Sequence, residues 1–188
     1  MDKEHEQVLL KTARDSVNAA VRKETLPSVR SDEAELNEHC GCFVTLKNNG
    51  TLRGCIGQFT SDKPLIRLVN EMAAASATND PRFISNRITA DELDSLDVEI
   101  SVLSPLKKVD DPLSLRVGVD GIYIKRGYRN GCFLPQVATE TGWTKEQFLT
   151  HCCVQKAGLS ADAWRKSDTE VYLFTADVFG AEFAEKQK

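Results

Sequence analysis

The chain of 188 residues contains no long apolar run. No stretch approaches the roughly 20 apolar residues that a membrane-spanning helix needs, so no membrane partner is expected. The first residues, 1–5, are polar and lack the apolar centre of a secretory signal. We therefore expect a cytoplasmic protein. Thiols stay reduced in that compartment, so the six cysteines are not expected to form three disulfides.

Motifs of nucleotide and metal chemistry are also missing. The sequence has no phosphate-binding glycine loop, dinucleotide fingerprint or serine-nucleophile elbow. Its two Cys-rich clusters, His39-Cys40-Gly41-Cys42 and His151-Cys152-Cys153, contain no C-x2-C pair, the spacing typical of structural zinc sites. A metal site shared by the two clusters is the open alternative. We expect no metal and no other cofactor.

The charge composition argues against a nucleic-acid partner. Lys and Arg total 24 and Asp and Glu total 28, which gives a net charge of −4. Nucleic-acid binders usually carry a basic face, so we expect no nucleic-acid partner. The strongest local basic patch consists of Lys125, Arg126 and Arg129. A solvated hairpin tip explains this patch more simply than a binding site does.

Hydrophobic periodicity predicts helices that alternate with hairpins. Asn49-Gly50 is a strong turn signal between two strand-like segments, because both residues tolerate a positive φ. The predicted elements of the first half are a helix over 4–24, strands over 42–46 and 52–59, a helix capped by Asp62 and ended by 79–81, a short helix capped by Thr89, and a strand over 97–103. Those of the second half are a hairpin over 122–134, helices that begin at Pro135 and Thr144, and a strand over 171–176.

One internal repeat links the two halves. Val44-Thr45-Leu46-Lys47, a turn and Arg53-Gly54-Cys55 resemble Ile122-Tyr123-Ile124-Lys125, a turn and Asn130-Gly131-Cys132. A predicted helix follows each hairpin. This arrangement favours an α+β fold with antiparallel pairing. We expect an N-terminal helix and polar connection over 1–41 packed on a main domain over 42–179, with a frayed tail over 180–188.

Five sequence blocks carry a resemblance to a known family. They are Phe43-Val44-Thr45-Leu46, Leu52-Arg53-Gly54-Cys55-Ile56-Gly57, Asp80-Pro81-Arg82-Phe83, the segment 99–105 (EISVLSP) and the segment 134–143 (LPQVATETGW). In this order they resemble the AMMECR-one domain family, also called protein A of the AmmeMemoRadiSam system. The resemblance implies duplicated strand-hairpin and helix units around a mostly antiparallel, barrel-like sheet, with flanking helices and a small N-terminal helical lobe. It also implies association with a Memo-like protein, which has a metal-dioxygenase-type fold, and with a radical-SAM protein.

Cys55 is the leading candidate for chemistry. A nucleophilic thiol needs access and a neighbour that favours the thiolate, and Arg53 lies two residues away. The alternative is that Cys55 fills a core, since free cysteine is among the most buried residue types. The three histidines lie outside the five blocks, so a Cys-His pair is not expected.

Arg82 and Glu99 are the next candidates, because each lies in a matched block. Arg53 and Arg82 could converge on a carboxylate or phosphate, or Arg82 could instead tie down its own loop by pairing with Asp80 or Glu99. Glu99 could transfer protons, although a charged outer sheet face would produce the same pattern. Gly54, Gly57 and Gln136 complete the predicted substrate-binding set.

Two function classes follow from these residues. The first is an enzyme or enzyme subunit that acts on a small anionic substrate in a cleft beside the LRGCIG signature. In this hypothesis Cys55 and Glu99 are catalytic and Arg53 and Arg82 bind the anion. The second is a non-catalytic module that binds a ligand or partner and works with the Memo-like and radical-SAM proteins.

Overall fold

A computed structural model of the chain describes the backbone of residues 1–182 and the side chains of residues 1–180. The chain divides into two compact units. Unit 1 comprises Met1–Leu103 and the described residues from Asp177 onward, and unit 2 comprises Ser104–Ala176. Each unit has its own hydrophobic core. Within residues 1–182, no helix combines the length and the apolar character needed to cross a bilayer.

The regular structure within residues 1–182 consists of eight strands and four α-helices. The strands are β1 Cys42–Asn48, β2 Thr51–Gln58, β3 Leu96–Leu103, β4 Lys107–Val109, β5 Gly121–Arg126, β6 Arg129–Phe133, β7 Glu170–Phe174 and β8 Ala176–Glu182. The helices are α1 Lys3–Arg22, α2 Leu65–Thr78, α3 Pro135–Thr141 and α4 Lys145–His151. Short 3-10 turns include Pro81–Phe83 and Ala90–Ser95, and a π-helical turn, Cys152–Lys156, follows α4.

Unit 1 consists of a four-stranded sheet, in the order β2-β1-β3-β8, and two helices that contribute to its core. Leu9, Ala13 and Val17 recur at helical spacing on α1 and are completely buried. Asp2 caps this helix, because its carboxylate accepts the backbone N–H of His5 at 3.0 Å. The predicted N-terminal helix is therefore present and belongs to the core of unit 1.

The beginning of α2 differs from the prediction. The helix starts at Leu65, and Pro64 occupies the N-cap position without a side-chain hydrogen bond. The expected cap at Asp62 is therefore wrong. Pro64 has extended dihedrals (φ −53°, ψ 141°), so the helix cannot include the two residues before it.

Unit 2 contains the second four-stranded sheet, in the order β4-β7-β5-β6. Helix α3 begins at Pro135 and ends at Gly142, which has the left-handed φ of 68°. A capping box between Thr144 and Gln147 opens α4, as the sequence predicts. Phe148 of α4 is fully buried in the core of this unit.

The predicted duplication is confirmed, whereas the barrel-like sheet is not. In each unit the first hairpin strand pairs antiparallel with the second and also with a later strand: β1 with β2 and β3, and β5 with β6 and β7. A barrel requires hydrogen bonding to continue from the last strand to the first. Among the described residues the strands instead form two separate sheets, each with two edges.

The chain end is only partly described. Strand β8 extends to Glu182, so residues 180–182 of the predicted frayed tail belong to a strand. Residues 183–188 of that predicted tail lie outside the described residues.

Candidate functional site

The LRGCIG signature forms most of β2, which is an edge strand of the sheet in unit 1. Cys55 lies opposite Thr45 on β1, and Thr45 lies opposite Glu99 on β3. Directly paired residues share one face of a sheet, so these three form a row. Val44 and Ile100, in the adjacent row, are completely buried in the core. The row of Cys55 therefore lies on the face directed away from this core.

A β-bulge at Arg53 decides which face Cys55 occupies. Lys47 pairs with Leu52, but the next residue, Leu46, pairs with Gly54, so Arg53 has no partner on β1. Without this extra residue Cys55 would pair with Val44 and point into the core. A shift of one residue moves every following side chain to the opposite face. The bulge thus places the thiol on the polar face.

Three separate groups hydrogen-bond to Cys55. Its backbone N–H donates to Asp80 Oδ2 at 2.8 Å, and its carbonyl oxygen accepts from the Arg82 guanidinium at 3.3 Å. Its Sγ accepts from the Thr45 hydroxyl at 3.2 Å. Because β2 is an edge strand, Asp80 and Arg82 occupy places where a further strand would supply its own acceptor and donor. The position of Cys55 is therefore fixed by the backbone and the side chain together.

Asp80 and Arg82 form an ion pair that connects this site to the Pro81–Phe83 turn. Arg82 Nε donates to Oδ1 at 3.0 Å and its terminal nitrogen donates to Oδ2 at 2.7 Å. Asp80 is nearly fully buried, and the hydrogen bonds from Arg82 lower the pKa of its carboxyl group to about 2. Of the two interpretations that the sequence left open for Arg82, the structure shows the loop-tying pair with Asp80.

Helix α2 approaches β2 at the glycine of the signature. A Cβ atom on Gly54 would lie 2.0 Å from the backbone oxygen of Ser76. The Ser76 hydroxyl accepts the N–H of Ile56 at 2.9 Å and donates to the carbonyl of Val44 at 2.8 Å. It therefore bridges β1 and β2 between two residues that are paired across the ladder. Only glycine at position 54 allows this approach.

The other glycine of the signature also faces protein atoms. A Cβ atom on Gly57 would lie 2.4 Å from the ring of Phe43, its partner on β1. Protein atoms therefore account for the absence of a side chain at both predicted binding glycines.

Arg53 is buried and pairs with Glu92, a residue that the sequence suggested only as part of a helix cap. Its Nε lies 2.9 Å from Oε1 and its terminal nitrogen 3.0 Å from Oε2. The guanidinium also donates to the carbonyls of Asn86 and Arg87 at 3.2 and 3.3 Å. The hydrogen bonds from Arg53 lower the pKa of Glu92. Arg53 thus links β2 to the segment 86–92, and each predicted anion-binding arginine has its own carboxylate.

Glu99 shares the polar face with Cys55 but is separated from it by Thr45. Two strand spacings of about 4.8 Å place the backbones of Cys55 and Glu99 roughly 10 Å apart. The carboxylate of Glu99 is partly exposed and lies 3.1 Å from Lys47 Nζ. Only a ligand that spans Thr45 could contact both side chains.

Gln136 lies in unit 2, at the start of α3. Its Oε1 atom is buried and has no hydrogen-bond partner within residues 1–180. This buried acceptor is a property of unit 2, whereas the row of Cys55 belongs to unit 1.

The other cysteines have different surroundings. Cys42, Cys152 and Cys153 are completely buried, and burial raises the pKa of each thiol. Burial also raises the pKa of Cys40 to about 11. Cys55 is only partly buried and has a hydroxyl and a guanidinium as neighbours. None of the six cysteines, all of which lie within residues 1–180, forms a disulfide.

Neither Cys-rich cluster forms a group of three converging ligands in the described part of the chain. The ring of His151 stacks on Trp143 at 4.1 Å, while Cys152 and Cys153 lie in the core of unit 2. Within residues 1–180 a different group of possible ligand atoms converges at the N-terminus, where those of Asp2, His5 and Glu35 lie within 4.8 Å of one another. These three are joined by hydrogen bonds and ion pairs.

Several residues of this site escaped sequence reasoning as functional candidates. Thr45 and Asp80 contact Cys55 directly, and Ser76 and Glu92 support β2 from two sides. A signal existed for Asp80 and Thr45, since both lie in matched blocks. The contact of Thr45 depends on the bulge, which the hairpin pattern does not reveal. Ser76 lies in a run of small residues, 73–77, and nothing in that run distinguishes it as a functional residue.

Comparisons with known proteins agree with this fold. The AMMECR1 family model matches residues 10–179. A protein of Methanothermobacter thermautotrophicus is 40% identical over 186 residues, covering 95% of each chain. The crystal structure of the uncharacterized protein PH0010 from Pyrococcus horikoshii matches with a TM-score of 0.83 at 38% identity, over 93% of this chain and 90% of that one. The chain belongs to the AMMECR1 family.

Proposed function

We propose that this protein acts on a small anionic substrate, as an enzyme or enzyme subunit, with Cys55 as its reactive thiol. The observation that carries the proposal is that the N–H, the carbonyl and the Sγ of Cys55 each have a dedicated partner. Such positioning is what a nucleophile requires, because its reactivity depends on being held in one geometry. A cysteine that only filled space in a core would need none of these groups.

The charges around Cys55 favour an anionic substrate. The Arg82 guanidinium interacts electrostatically with Cys55, and its side chain is 55% exposed, so one side of it remains open to a ligand. Lys47 adds a second cation on the same face, beside Glu99. A guanidinium can hold a carboxylate or phosphate and can favour a thiolate, although it cannot act as a base.

A reaction at this site needs a route for the thiol proton. In the proposed step the Cys55 sulfur forms a bond to an electrophilic carbon of the substrate, and the electrons of the broken bond pass to the leaving group. The thiol proton passes to solvent, and Glu99, on the far side of Thr45, transfers a proton from solvent to the leaving group of a substrate that spans Thr45. Arg53 acts as a positioning residue, because its donors bond to Glu92 and to two backbone carbonyls.

The second candidate function is a non-catalytic module that binds a ligand or partner, together with Memo-like and radical-SAM proteins. The observation that favours it is the pairing of both arginines, Arg53 with Glu92 and Arg82 with Asp80. These pairs neutralise the guanidinium charges and give the signature a structural role. In this case the shaped edge of β2 would be the functional feature.

Alkylation of the native protein by iodoacetamide, followed by peptide mass spectrometry, separates the two candidates. We expect Cys55 to be modified in the folded protein, whereas the buried Cys42, Cys152 and Cys153 should react only after unfolding. The partly buried Cys132 serves as the internal reference. Replacement of Arg82 by Gln should slow the reaction of Cys55 and leave that of Cys132 unchanged.

The opposite result is equally clear. If Cys55 remains unmodified until the protein unfolds, or reacts no faster than Cys132 and is insensitive to Arg82→Gln, the catalytic proposal fails. Circular dichroism of the Arg82→Gln variant shows whether a slower reaction reflects lost charge or lost structure.

A further inference from the structure

Unit 2 repeats the sheet of unit 1, but the face of its sheet that points away from the core carries aromatic side chains. The row equivalent to that of Cys55 contains Cys132 on β6, Tyr123 on β5, Tyr172 on β7 and Lys108 on β4, each paired with the next. The neighbouring residues on these strands, such as Ile124, point the other way into the core of the unit. The tyrosine row therefore lies on the face opposite this core.

All three tyrosines of the chain belong to this region. Tyr123 and Tyr172 lie side by side on the two central strands, with ring centroids 6.0 Å apart and an interplanar angle of 62°. Both are partly exposed. Tyr128 is fully exposed at the tip of the β5-β6 hairpin, beside Gly127, whose positive φ of 60° forms the turn. The three rings thus mark a track from the sheet centre to the hairpin tip.

Cations border this track. Lys108 lies at the β4 end of the tyrosine row and its side chain is 55% exposed. Lys125 occupies the next row on the same face and is exposed. The acid on this face, Glu170, pairs with Lys108 at 2.5 Å and accepts the Tyr172 hydroxyl at 3.2 Å. Positive charge therefore remains in excess around the three rings.

The charge of the chain is divided unevenly between the two units. Residues 104–176 contain ten Lys or Arg and eight Asp or Glu, a net charge of +2. The total for the chain is −4, so the remaining residues carry −6. The total charge therefore averages two regions of opposite sign. The expectation that no nucleic acid binds was drawn from that total and does not apply to unit 2 by itself. Such asymmetry is typical of proteins with one anion-binding region.

We propose that the tyrosine face of unit 2, defined by Tyr123, Tyr128 and Tyr172, binds single-stranded nucleic acid. Bases stack on the tyrosine rings, and phosphates lie near Lys108 and Lys125. Aromatic rings on the central strands of an antiparallel sheet are a recurrent platform for unpaired bases, since every base has a π-face. An acidic peptide would also match the cations but would leave the three rings without a role.

Fluorescence anisotropy with labelled oligo(U) and oligo(dT) of about 12 nucleotides tests this proposal on the full-length protein. We expect binding that weakens as salt rises from about 50 to 200 mM, because phosphate contacts release counterions. The double variant Tyr123→Leu/Tyr172→Leu should bind at least about tenfold more weakly. The matched Phe double variant keeps the rings and should bind like the wild type. A preference for one oligonucleotide identifies RNA or DNA as the ligand.

Two outcomes would overturn the proposal. One is that neither oligonucleotide binds, including the case in which only a poly-glutamate peptide binds. The other is that the Leu double variant, with a wild-type melting temperature, binds as well as the Phe variant. If the Leu variant unfolds, Tyr128→Ala at the exposed tip and Lys125→Ala beside the tyrosine row provide the same test, and both must weaken binding. All of these variants leave Cys55 and its partners unchanged, so the result is independent of the proposed thiol chemistry.

Discussion

At the scale of single residues, Asp80 has the largest influence on the candidate site. Its buried carboxylate accepts the N–H of Cys55 and the N–H and guanidinium of Arg82. A buried charge is tolerated only when it is paired and hydrogen-bonded, and Asp80 meets both conditions. The same carboxylate therefore closes the edge of β2 and orients the cation beside the thiol.

The low pKa of Asp80 predicts a stability change in acid. The folded protein holds this pKa at about 2, below its ordinary value of 3.8, so the ionised carboxylate stabilises the fold above about pH 4. This stabilisation is lost as the pH falls from about 4 to 2. We expect the free energy of unfolding of the wild type to fall by up to about 2 kcal/mol more than that of Asp80→Asn over this range.

Urea unfolding of both proteins at several pH values provides the measurement. The other carboxyl groups with lowered pKa, including Glu92 and Asp120, are present in both proteins, so their contributions cancel in the difference. If the free energies of unfolding of the wild type and of Asp80→Asn change in parallel with pH, the ion pair between Asp80 and Arg82 contributes little to stability.

At the scale of elements, the β1-β2 hairpin and α2 form one interlocked structure. The bulge at Arg53 turns Cys55 to the polar face, and the Ser76 hydroxyl joins the two strands from the side of α2. Gly54 is the residue at which the helix backbone comes closest to the strand. The geometry of the signature therefore depends on an element that begins eleven residues after Gly54.

Substitution of Gly54 by Ala should disrupt this contact. The new Cβ would lie 2.0 Å from the Ser76 oxygen, so α2 must move away and the Ser76 bridge must break. We expect a loss of about 2–3 kcal/mol in the free energy of unfolding, measured by chemical denaturation. Gly50→Ala is the matched control, because nothing lies within 4 Å of its Cβ position and only its positive φ opposes the change. The Gly50→Ala substitution should lower the free energy of unfolding by about 1 kcal/mol. Equal losses would contradict the close approach of α2.

At the scale of the whole molecule, the chain uses one arrangement twice. Both units contain a hairpin, a following helical segment and a third strand that returns to the first. The equivalent rows differ in chemistry: Cys55 has Thr45 as its cross-strand partner, whereas Cys132 has Tyr123. Duplication of a fold therefore did not duplicate the site.

Helix α1 is an integral part of unit 1, and its buried face should contribute strongly to stability. Leu9 is completely buried in the core, so Leu9→Ala leaves a cavity and should cost about 2–5 kcal/mol. The preceding residue, Val8, is 37% exposed, and Val8→Ala should cost less than about 1 kcal/mol. Thermal unfolding of both variants checks the difference. Similar losses of stability in the two variants would show that α1 packs only loosely on the core of unit 1.

Local patterns were sufficient for most of the fold. The helical spacing of α1, the Asn49-Gly50 turn, the capping boxes at Thr89 and Thr144, and the Pro135 start of α3 all predict the observed elements. These signals depend on neighbours within a few residues, so one sequence contains them completely. The cap at Asp62 was wrong because Pro64 forces an extended backbone before the helix.

By itself, the amino-acid sequence determined the family and the duplicated α+β arrangement, and it singled out the LRGCIG segment as a candidate site. Only the tertiary structure decided how the side chains of that segment are held. It showed that a bulge turns Cys55 outward, that Arg53 and Arg82 have separate carboxylate partners, and that Tyr123 and Tyr172 share one face of unit 2. The physical reason is that strand register, ion pairs and shared sheet faces depend on contacts between residues tens of positions apart in the sequence. A local sequence pattern carries no information about such contacts.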